Sequence, residues 1–567
     1  MAIAATLACL VLYWAGFRFY STYLAGRVYG LADDQPTPAH TQRDDIDYLP
    51  TNRFVLFGHH YASITGLSPM LGPAIAVIWG WVPALLWVVG GALLVGCVHD
   101  MSALVLSIRA RGLSVGAITE GVIGKPAKTM FHLVIFFGIG LAMGVFVSVI
   151  STLFTPAFYP QSVVPSFALM AVAVAIGFAV FKRGVPAGPA AAVAVLLVLG
   201  LVAYSASPGA PTPLWDYPTG WGVLLLAYSL IASVLPVWVL LQPRDFINSL
   251  LLYFGMALMY VGFFVQGPEF VAPAFSPAPV GAPPMLPFVF VVIACGAVSG
   301  FHGLVSSGTT AKQLDRAGDA RMIGYGGMIG ESLLGLMAVL ACTAGFSSSE
   351  QWHLHYADWG SANTLGGKIG VFIEGSAGFV SSLGVPAELA TAFIAVIVVS
   401  FALTTLDSAT RLLRYNISEI ASGLGAKGEN RYLSSVLAVA VIAVFAFYRV
   451  DGRPVGLALW SLFGTTNQLL ASLTLMLATV YLYQRGRNFW VTAVPAAILT
   501  VVTLAAMAIN LRAFYEAGQA MLLGVGVVLL VLALGIVTAG LLALFSGRRG
   551  SHSGRLEVFS PAGPQTP

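Results

Sequence analysis

The chain has 567 residues, of which 58% are hydrophobic and only 9% charged, and its net charge at pH 7 is +4. Because an ordinary soluble domain has about 25% charged residues, this composition excludes a soluble fold for most of the chain. The basic residues stand in short clusters between apolar segments, which is the pattern of the positive-inside rule and not of a nucleic-acid-binding surface.

Apolar segments recur from end to end, each long enough to cross a hydrocarbon core about 30 Å thick as an α-helix. They lack the alternating pattern of a membrane β-barrel. The sequence therefore predicts an all-α polytopic membrane protein. The fifteen predicted spans are 2–28, 57–80, 82–108, 128–154, 166–182, 188–205, 221–241, 246–266, 286–308, 322–345, 386–406, 432–448, 455–484, 490–510 and 519–545.

The first span predicts a retained anchor helix with its N-terminus outside, because no basic residue precedes it and Arg18 and Arg27 lie near its C-terminal end. With this orientation, nearly every basic loop lies in the cytoplasm, and so does the C-terminus. The long Pro-rich or acidic loops lie outside, and they are 206–220, 267–285 and 346–385. The loop with Arg449 and Arg453 is the exception to the rule.

Two of the predicted spans are interrupted. Residues 58–73 hold three glycines and two prolines within one crossing, so a continuous helix is not expected there. Ser229, Ser233 and Pro236 make a weaker interruption in 221–241. Broken helices at matching positions of two inverted halves are typical of a secondary-transporter binding site at the bilayer midplane. The alternative is that these residues only permit kinks and close helix packing.

We therefore predict a five-plus-five inverted repeat. An anchor helix and a cytoplasmic loop (1–56) precede a transporter core (57–410), which is built from repeats at about 57–205 and 221–406. About four C-terminal helices (411–545) and a cytoplasmic tail (546–567) follow.

Polar side chains inside the bilayer are costly and therefore mark candidate functional sites. Hydroxyls and free carbonyls at a helix break bind Na⁺, and imidazoles that titrate near neutrality carry protons. Alternatively, the histidines only hold the break open. The candidate substrate- or ion-binding residues are His59, His60, Gly66, Ser68, Gly72, His302, Ser306, Ser307 and Thr309. The half-helix that starts near Gly66–Gly72 would present its N-terminal N–H groups to a substrate carboxylate. Trp238 and Gln242 are candidates for the opposite wall.

Carboxylates within the spans are candidates for proton coupling. Glu331 is the better candidate, whereas Asp100 is expected to be a cap or a partner for Arg109. Arg244, Asp245, Asp407 and Arg411 lie at predicted cytoplasmic helix ends and are candidates for gate salt bridges. A zinc or copper site at the same histidines is an alternative, since imidazole suits both metals, but no metal site is predicted because no His or Cys spacing matches a known ligand pattern. The four cysteines have no paired spacing and are interpreted as small buried residues.

Long motifs resemble the carbon starvation protein family (CstA type). They are the Gly58-His59-His60 opening that continues to Pro73, Pro243-Arg244-Asp245, residues 299–310 with 319–332, Thr405 to Arg411, and Leu459 to Leu470. Together they cover about residues 50–485. One departure is His99, where the family pattern would have Gln.

The resemblance implies a transporter of the cytoplasmic membrane, related to the amino acid-polyamine-organocation superfamily and with a LeuT-like core. It also implies uptake of pyruvate or peptides during nutrient limitation, with proton coupling in at least some members. We therefore expect a secondary active transporter, not an enzyme, that imports a small carboxylate or short peptides by H⁺- or Na⁺-coupled symport, without a cofactor. The alternative is a membrane receptor or sensor that binds such a solute without moving it.

Overall fold

The computed structural model describes residues 1–207, 209–210, 213–425, 430–450 and 453–545. The predicted tail at 546–567 lies outside these residues. Ten described helices are long and apolar enough to cross a membrane, and one bent pair would make an eleventh. The prediction of an all-α, multi-pass membrane protein is confirmed.

We number the long or interrupted helices in chain order. They are α1 (Ala2–Tyr29), α2 (Arg53–Ile64 and Ser68–Trp79), α3 (Trp81–Arg109), α4 (Lys125–Leu153), α5 (Pro160–Arg183), α6 (Ala187–Ser205), α7 (Pro218–Val234), α8 (Leu241–Gln266), α9 (Met285–Val292, Ala294–Ala297 and Gly300–Gly308), α10 (Ala317–Ala344), α11 (Ala387–Gly423), α12 (Arg431–Phe447), α13 (Trp460–Gln484), α14 (Trp490–Glu516) and α15 (Ala520–Phe545). Short helices lie at Pro38–Thr41, Val115–Val122, Ser349–His355, Trp359–Ala362, Leu365–Ser381 and Val455–Ala458. The strands β1 (Arg449–Val450) and β2 (Arg453–Pro454) pair antiparallel.

The region 346–385, expected to be a loop, contains three of the short helices. Each begins at a polar residue whose side chain accepts a hydrogen bond from a backbone N–H of the first turn. These residues are Ser348, Asp358 and Thr364. Such N-caps stabilise the first turn of a helix, and the longest of the three, Leu365–Ser381, has 17 residues, as many as α7 and α12.

Helix α2 breaks at Thr65–Leu67, as predicted, and its two segments are bent by 48°. Pro69 lies in the first turn of the second segment, where its missing N–H is tolerated. Gly72 lies where this segment approaches α9 closely. A Cβ at Gly72 would lie 2.4 Å from the carbonyl oxygen of Val292, so only glycine fits this contact.

The interruption predicted in 221–241 is a complete break. Helix α7 ends at Val234, and Leu235 adopts an extended conformation before Pro236. The residue before a proline disfavours the helical conformation, so the chain continues in an irregular path until α8 begins at Leu241.

Helix α9 is interrupted twice, which the sequence did not predict. Ile293 leaves the helical conformation first, and Val298 and Ser299 are then extended, with φ of −158° and −132°. The Ala294–Ala297 segment packs against the second segment of α2. Two broken helices therefore meet inside the bundle.

The helices around these two breaks form the inner part of the bundle. The first segment of α2 packs along α8, and the Gly300–Gly308 segment of α9 packs between α3 and α13. Helix α4 packs along α11 and α12. Helix α11 continues to Gly423, far past its predicted end at 406, so Asp407 and Arg411 lie within the helix and not at its end, and both are buried in the bundle.

Candidate functional site

A cavity adjoins the break in α2. Its lining is mostly apolar, and the aromatic residues Phe146, Phe301 and Phe463 contribute to it. The polar groups in the lining are few, and they are those of Ser68, Cys295, Thr405, Thr466 and Asn467. Such a lining, apolar with a few placed polar groups, is typical of a small-molecule site.

A wider space of about 1160 Å³ adjoins this cavity. Ser68, Cys295 and Phe463 line both spaces. The wider space is also lined by Trp359 and Asn363, which lie in the region predicted to be outside. The two spaces are therefore neighbours that share part of their walls beside the break in α2.

Asn467 of α13 holds the second break of α9. Its Oδ1 accepts hydrogen bonds from the backbone N–H of Phe301 at 3.0 Å and from Ser299 Oγ at 3.2 Å. Its amide nitrogen lies 3.2 Å from Cys295 Sγ. Asn467 therefore acts as an N-cap for the Gly300–Gly308 segment from another helix, and it also borders the cavity.

Hydroxyls of α11 satisfy carbonyls that precede the break in α2. Thr404 donates to the Ala62 carbonyl at 3.0 Å, and Thr405 donates to the Ser63 carbonyl at 3.5 Å. Gly66 lies against the same helix, since a Cβ there would be 2.9 Å from Thr405 Oγ1. The break is thus fixed against α11.

A first ionic cluster lies on one side of α2. We call Arg244, Asp245, Asp407, Tyr228 and His59 the Arg244 cluster. The Arg244 guanidinium donates to Asp245 Oδ1 at 2.6 Å and pairs with Asp407. His59 Nδ1 lies 2.6 Å from Asp245 Oδ2, and Tyr228 donates to Asp407 at 2.5 Å. All three charged groups are fully buried, so their pairing prevents the large penalty of an isolated charge.

A second cluster lies where α3, α9 and α10 meet. We call His99, Asp100, His302 and Glu331 the His302 cluster. His302 Nδ1 lies 3.0 Å from Asp100 Oδ2, and His302 Nε2 lies 2.8 Å from Glu331 Oε2, although these last two atoms lack the alignment of a hydrogen bond. His99 Nδ1 lies 2.7 Å from Asp100 Oδ1. In the part of the chain that the structure describes, no group of His, Cys, Asp or Glu side chains is arranged to hold a metal ion.

The adjacent histidines of α2 have different partners. His59 belongs to the Arg244 cluster, whereas His60 Nδ1 lies 2.8 Å from Thr310 Oγ1. The His60 ring also packs against Gly327 of α10. A Cβ at Gly327 would lie only 2.8 Å from His60 Cδ2. The first segment of α2 thus joins α8 on one side to α9 and α10 on the other.

A layer of charges lies at the end of the bundle that the sequence analysis assigns to the cytoplasm. Asp47, in the segment before α2, pairs with Arg411 at 2.6 Å and with Arg414 at 3.0 Å. Burial raises the pKa of the Asp47 carboxyl, but the nearby Arg411 and Arg414 outweigh it and hold this pKa well below its usual range. Both arginines also donate to carbonyls at the end of α7, at Ala232 and Ser233. The sequence analysis missed Asp47; the acidic residues Asp44, Asp45 and Asp47 in a loop predicted to be cytoplasmic were the available signal.

The structure brings only some of the predicted binding residues to the cavity. Gly66 and Ser68 line it, and Gly72 lines the wider space. Ser307 instead donates to the Gly303 carbonyl, and Thr309 donates to the Val305 carbonyl. Ser306 is also buried outside both linings.

Three further expectations differ from the structure. Asp100 pairs with His302 and not with Arg109, whose guanidinium donates to the Tyr29 carbonyl and to Tyr481. Trp238 lies outside both linings and packs against Lys182, 5.1 Å from its ring centroid. Gln242 donates to Thr51 and to Gln313, and it also lies outside both linings. In each case the partner comes from a distant part of the sequence.

The family model and the most similar curated proteins indicate the same family. The model of the family described as carbon starvation protein CstA matches residues 1–354 and 348–506. The peptide transporter CstA of Campylobacter jejuni is 31% identical, over 89% of this chain and 79% of its own. The peptide transporter CstA of Bacillus subtilis is 31% identical, over 95% and 96%. The pyruvate/proton symporter BtsT of Escherichia coli is 30% identical, over 89% and 81%.

Solved structures with a similar course of the chain are more distant. The manganese transporter of Eremococcus coleocola has 11% identity and a TM-score of 0.49, over 88% of this chain and 98% of its own. MhsT in complex with L-phenylalanine has 12% identity and a TM-score of 0.46, over 88% and 99%. With a family model matched over nearly its whole length, and with relatives above 30% identity, the chain belongs to the carbon starvation protein CstA family.

Proposed function

We propose that this protein is a secondary active transporter that imports a small carboxylate such as pyruvate, or short peptides, by H⁺- or Na⁺-coupled symport across the cytoplasmic membrane during nutrient limitation. The observation that carries the proposal is the break of α2 beside a cavity that shares lining residues with a wider space, to which Trp359 and Asn363 of the predicted outer region contribute. Its relatives are named as a peptide transporter and a pyruvate/proton symporter. These names support a transporter and not an enzyme.

The N-terminus of the Ser68–Trp79 segment supplies the anion-binding part of the site. The N-terminal end of a helix dipole favours negative charge, although in this segment Pro69 has no N–H and the N–H groups of Met70 and Leu71 donate to the Leu67 carbonyl. Ser68 lines the cavity at this end, so its hydroxyl would add a donor. In the described part of the chain, no basic side chain lines the cavity. A substrate carboxylate would therefore be bound by the helix dipole and by hydroxyl groups.

The two possible substrates use different parts of the space. Pyruvate, with six heavy atoms, would occupy only the cavity at the break. A peptide would extend past Phe463 into the wider space, where Trp359 and Asn363 are available. Substitution of Phe463 is therefore expected to affect peptide uptake more than pyruvate uptake.

The arrangement of charges supports an outward-open state. The Arg244 cluster and the Asp47 pairs join α7, α8 and α11 at the end that we assign to the cytoplasm. These ion pairs would have to separate before a solute leaves on that side. Arg244, Asp245, Asp407 and Arg411 thereby serve as the inner gate, with the N-terminus outside and the C-terminus in the cytoplasm.

The helix contacts support a revised division of the inverted repeat. In this proposal the first half is α2, α3, α4, α7 and α8, and the second half is α9 to α13. Helix α9 then takes the place of the second broken helix, which the sequence analysis had put at 221–241. Helices α5 and α6 are an insertion, α1 precedes the repeat, and α14 and α15 follow it. The pairing of α2 with α8 and of α9 with α13 is the internal symmetry that supports this division.

Transport of labelled pyruvate and labelled dipeptides into proteoliposomes tests the proposal. The pH gradient and the sodium gradient are imposed separately; we expect accumulation under one of them, which identifies the coupling ion, and no accumulation without either gradient. Saturable binding without accumulation under both gradients would contradict transport and support the receptor alternative. Protection of Cys295 from a thiol reagent by the transported solute would locate the site, because Cys295 lines both spaces.

A further inference from the structure

The His302 cluster lies on the other side of α9 from the cavity. Phe301 and Leu304 of the Gly300–Gly308 segment line the cavity, whereas His302 contacts Asp100 of α3 and Glu331 of α10. One face of this short segment therefore borders the cavity, and the other face contacts a buried set of ionisable groups.

The distances within the cluster fix where its hydrogens lie. The Oδ2 atom of Asp100 contacts His302 Nδ1, and its Oδ1 atom contacts His99 Nδ1. An ionised carboxylate only accepts hydrogen bonds, so both histidines carry a proton on Nδ1. The Nε2 atom of His302 remains for Glu331.

The contact between His302 Nε2 and Glu331 Oε2 requires one more proton. At 2.8 Å, a bare imidazole nitrogen and a carboxylate would place two lone pairs against each other. Either a protonated His302 meets an ionised Glu331, or a neutral His302 meets a protonated Glu331. Both descriptions contain the same number of protons, and rotation about the soft terminal torsion of the carboxyl aligns the two atoms.

The surroundings provide no substitute donor. Both side chains are fully buried, and neither carboxyl oxygen of Glu331 has a hydrogen-bond partner in the described part of the chain. The other ionisable groups near the pair come from α2, α3 and α9, and they are His60, Tyr61, His99, Asp100 and Cys295. Loss of the shared proton would therefore leave a repulsive contact in a medium of low dielectric constant.

We propose that the coupling ion is a proton held between His302 and Glu331, and that its loss releases the Gly300–Gly308 segment of α9 from α10 beside the solute cavity. This inference rests on the proposed transport function. Asp100 and His99 act as positioning residues that keep the His302 ring in one tautomer.

The test compares two transport modes in proteoliposomes that contain the full chain. Proton-driven accumulation requires the pair to lose and regain its proton in every cycle. Exchange of internal unlabelled solute for external labelled solute at equal pH requires no net movement of protons. The solute used is pyruvate or a dipeptide, whichever the unmodified protein exchanges.

Glu331→Gln is the informative substitution, because an amide N–H donates permanently to His302 Nε2 and imitates the loaded state. We expect exchange within about twofold of the unmodified protein and at least about a tenfold loss of driven accumulation. Thr343→Val is the matched control on the same helix, since in the described residues the buried Thr343 hydroxyl donates only to the Val339 carbonyl of α10 and lies outside the His302 cluster. This variant should retain driven accumulation.

Several results would overturn the inference. They are normal accumulation by Glu331→Gln, equal loss of both modes in this variant while its melting temperature is unchanged, and accumulation driven by sodium alone in the unmodified protein. If Glu331→Gln does not fold, Glu331→Asp replaces it: the shorter side chain should shift the pH of half-maximal accumulation, and an unshifted profile would contradict the proposal. Absence of both modes from the unmodified protein would instead refute the transport function itself.

Discussion

Gly66 has little space around it at the centre of the proposed site. A Cβ at this position would lie 2.9 Å from Thr405 Oγ1 and 3.0 Å from Phe146 Cε2. Gly66→Leu would fill the cavity and displace these neighbours, and overpacking of this kind destabilises a protein by about 1–3 kcal/mol. We expect Gly66→Leu to abolish uptake while membrane insertion is retained, as measured by uptake and by the amount of protein in the membrane.

Gly90→Leu is the control for this experiment. Gly90 also lies in a membrane helix, but no atom lies within 4 Å of the position of its Cβ. The same enlargement should therefore leave uptake nearly unchanged. Undiminished uptake by Gly66→Leu would contradict the location of the site.

Asp47 is expected to stabilise the folded protein at neutral pH. Its side chain is only 15% exposed and pairs with two arginines. Removal of one partner from a buried pair costs about 3–5 kcal/mol. We expect Asp47→Asn to lower the melting temperature in detergent at pH 7.5, whereas Asp45→Asn, at an exposed pair with Arg43, should have little effect.

The pH dependence of the Asp47 effect follows from the sign of its pKa shift. Because the folded-state pKa lies below the usual value of about 3.9, the stabilisation is complete above that value and is lost as pH falls through the folded-state pKa. The difference in melting temperature between the unmodified protein and Asp47→Asn should therefore stay constant from pH 7.5 to 5. A difference that shrinks within this interval would contradict the assignment.

At the scale of the helix, the break in α9 depends on a side chain from α13. Asn467 accepts the N–H of Phe301 and contacts Ser299. Loss of an N-cap destabilises a helix by about 0.5–2 kcal/mol. We expect Asn467→Ala to reduce both the melting temperature and the uptake rate, since the Gly300–Gly308 segment would no longer be held beside the cavity.

Ser472→Ala is a suitable control on the same helix, because the Ser472 hydroxyl only donates to the Leu469 carbonyl. It should leave uptake unchanged. Equal effects of the two substitutions would mean that polar groups of α13 act only through the stability of that helix.

At the scale of the whole molecule, the proposed orientation determines which side of the membrane each loop occupies. We expect Asn363→Cys to react with a membrane-impermeant maleimide in intact spheroplasts, and Lys125→Cys to react only after permeabilisation. The measurement uses a background in which the four buried cysteines are replaced by alanine. The reverse pattern of labelling would invert the topology and the assignment of the inner gate.

The sequence by itself determined the class of the protein and the break in α2. Apolar length and low charge decide that a segment enters the bilayer, and the glycines and prolines of residues 58–73 interrupt a helix locally. The His302 and Glu331 side chains were also recognisable from the sequence as polar groups inside spans. These features depend only on residues close together in the chain.

Only the tertiary structure decided the second break in α9 and the partners of the ionisable groups. Val298 and Ser299 are extended, yet the cap that stabilises the following segment comes from Asn467, 166 positions away from Phe301. His302 likewise meets Asp100 across 202 positions. In a membrane interior without water, exposed backbone and charged groups must find partners on neighbouring helices, and such pairings follow from packing and not from local sequence.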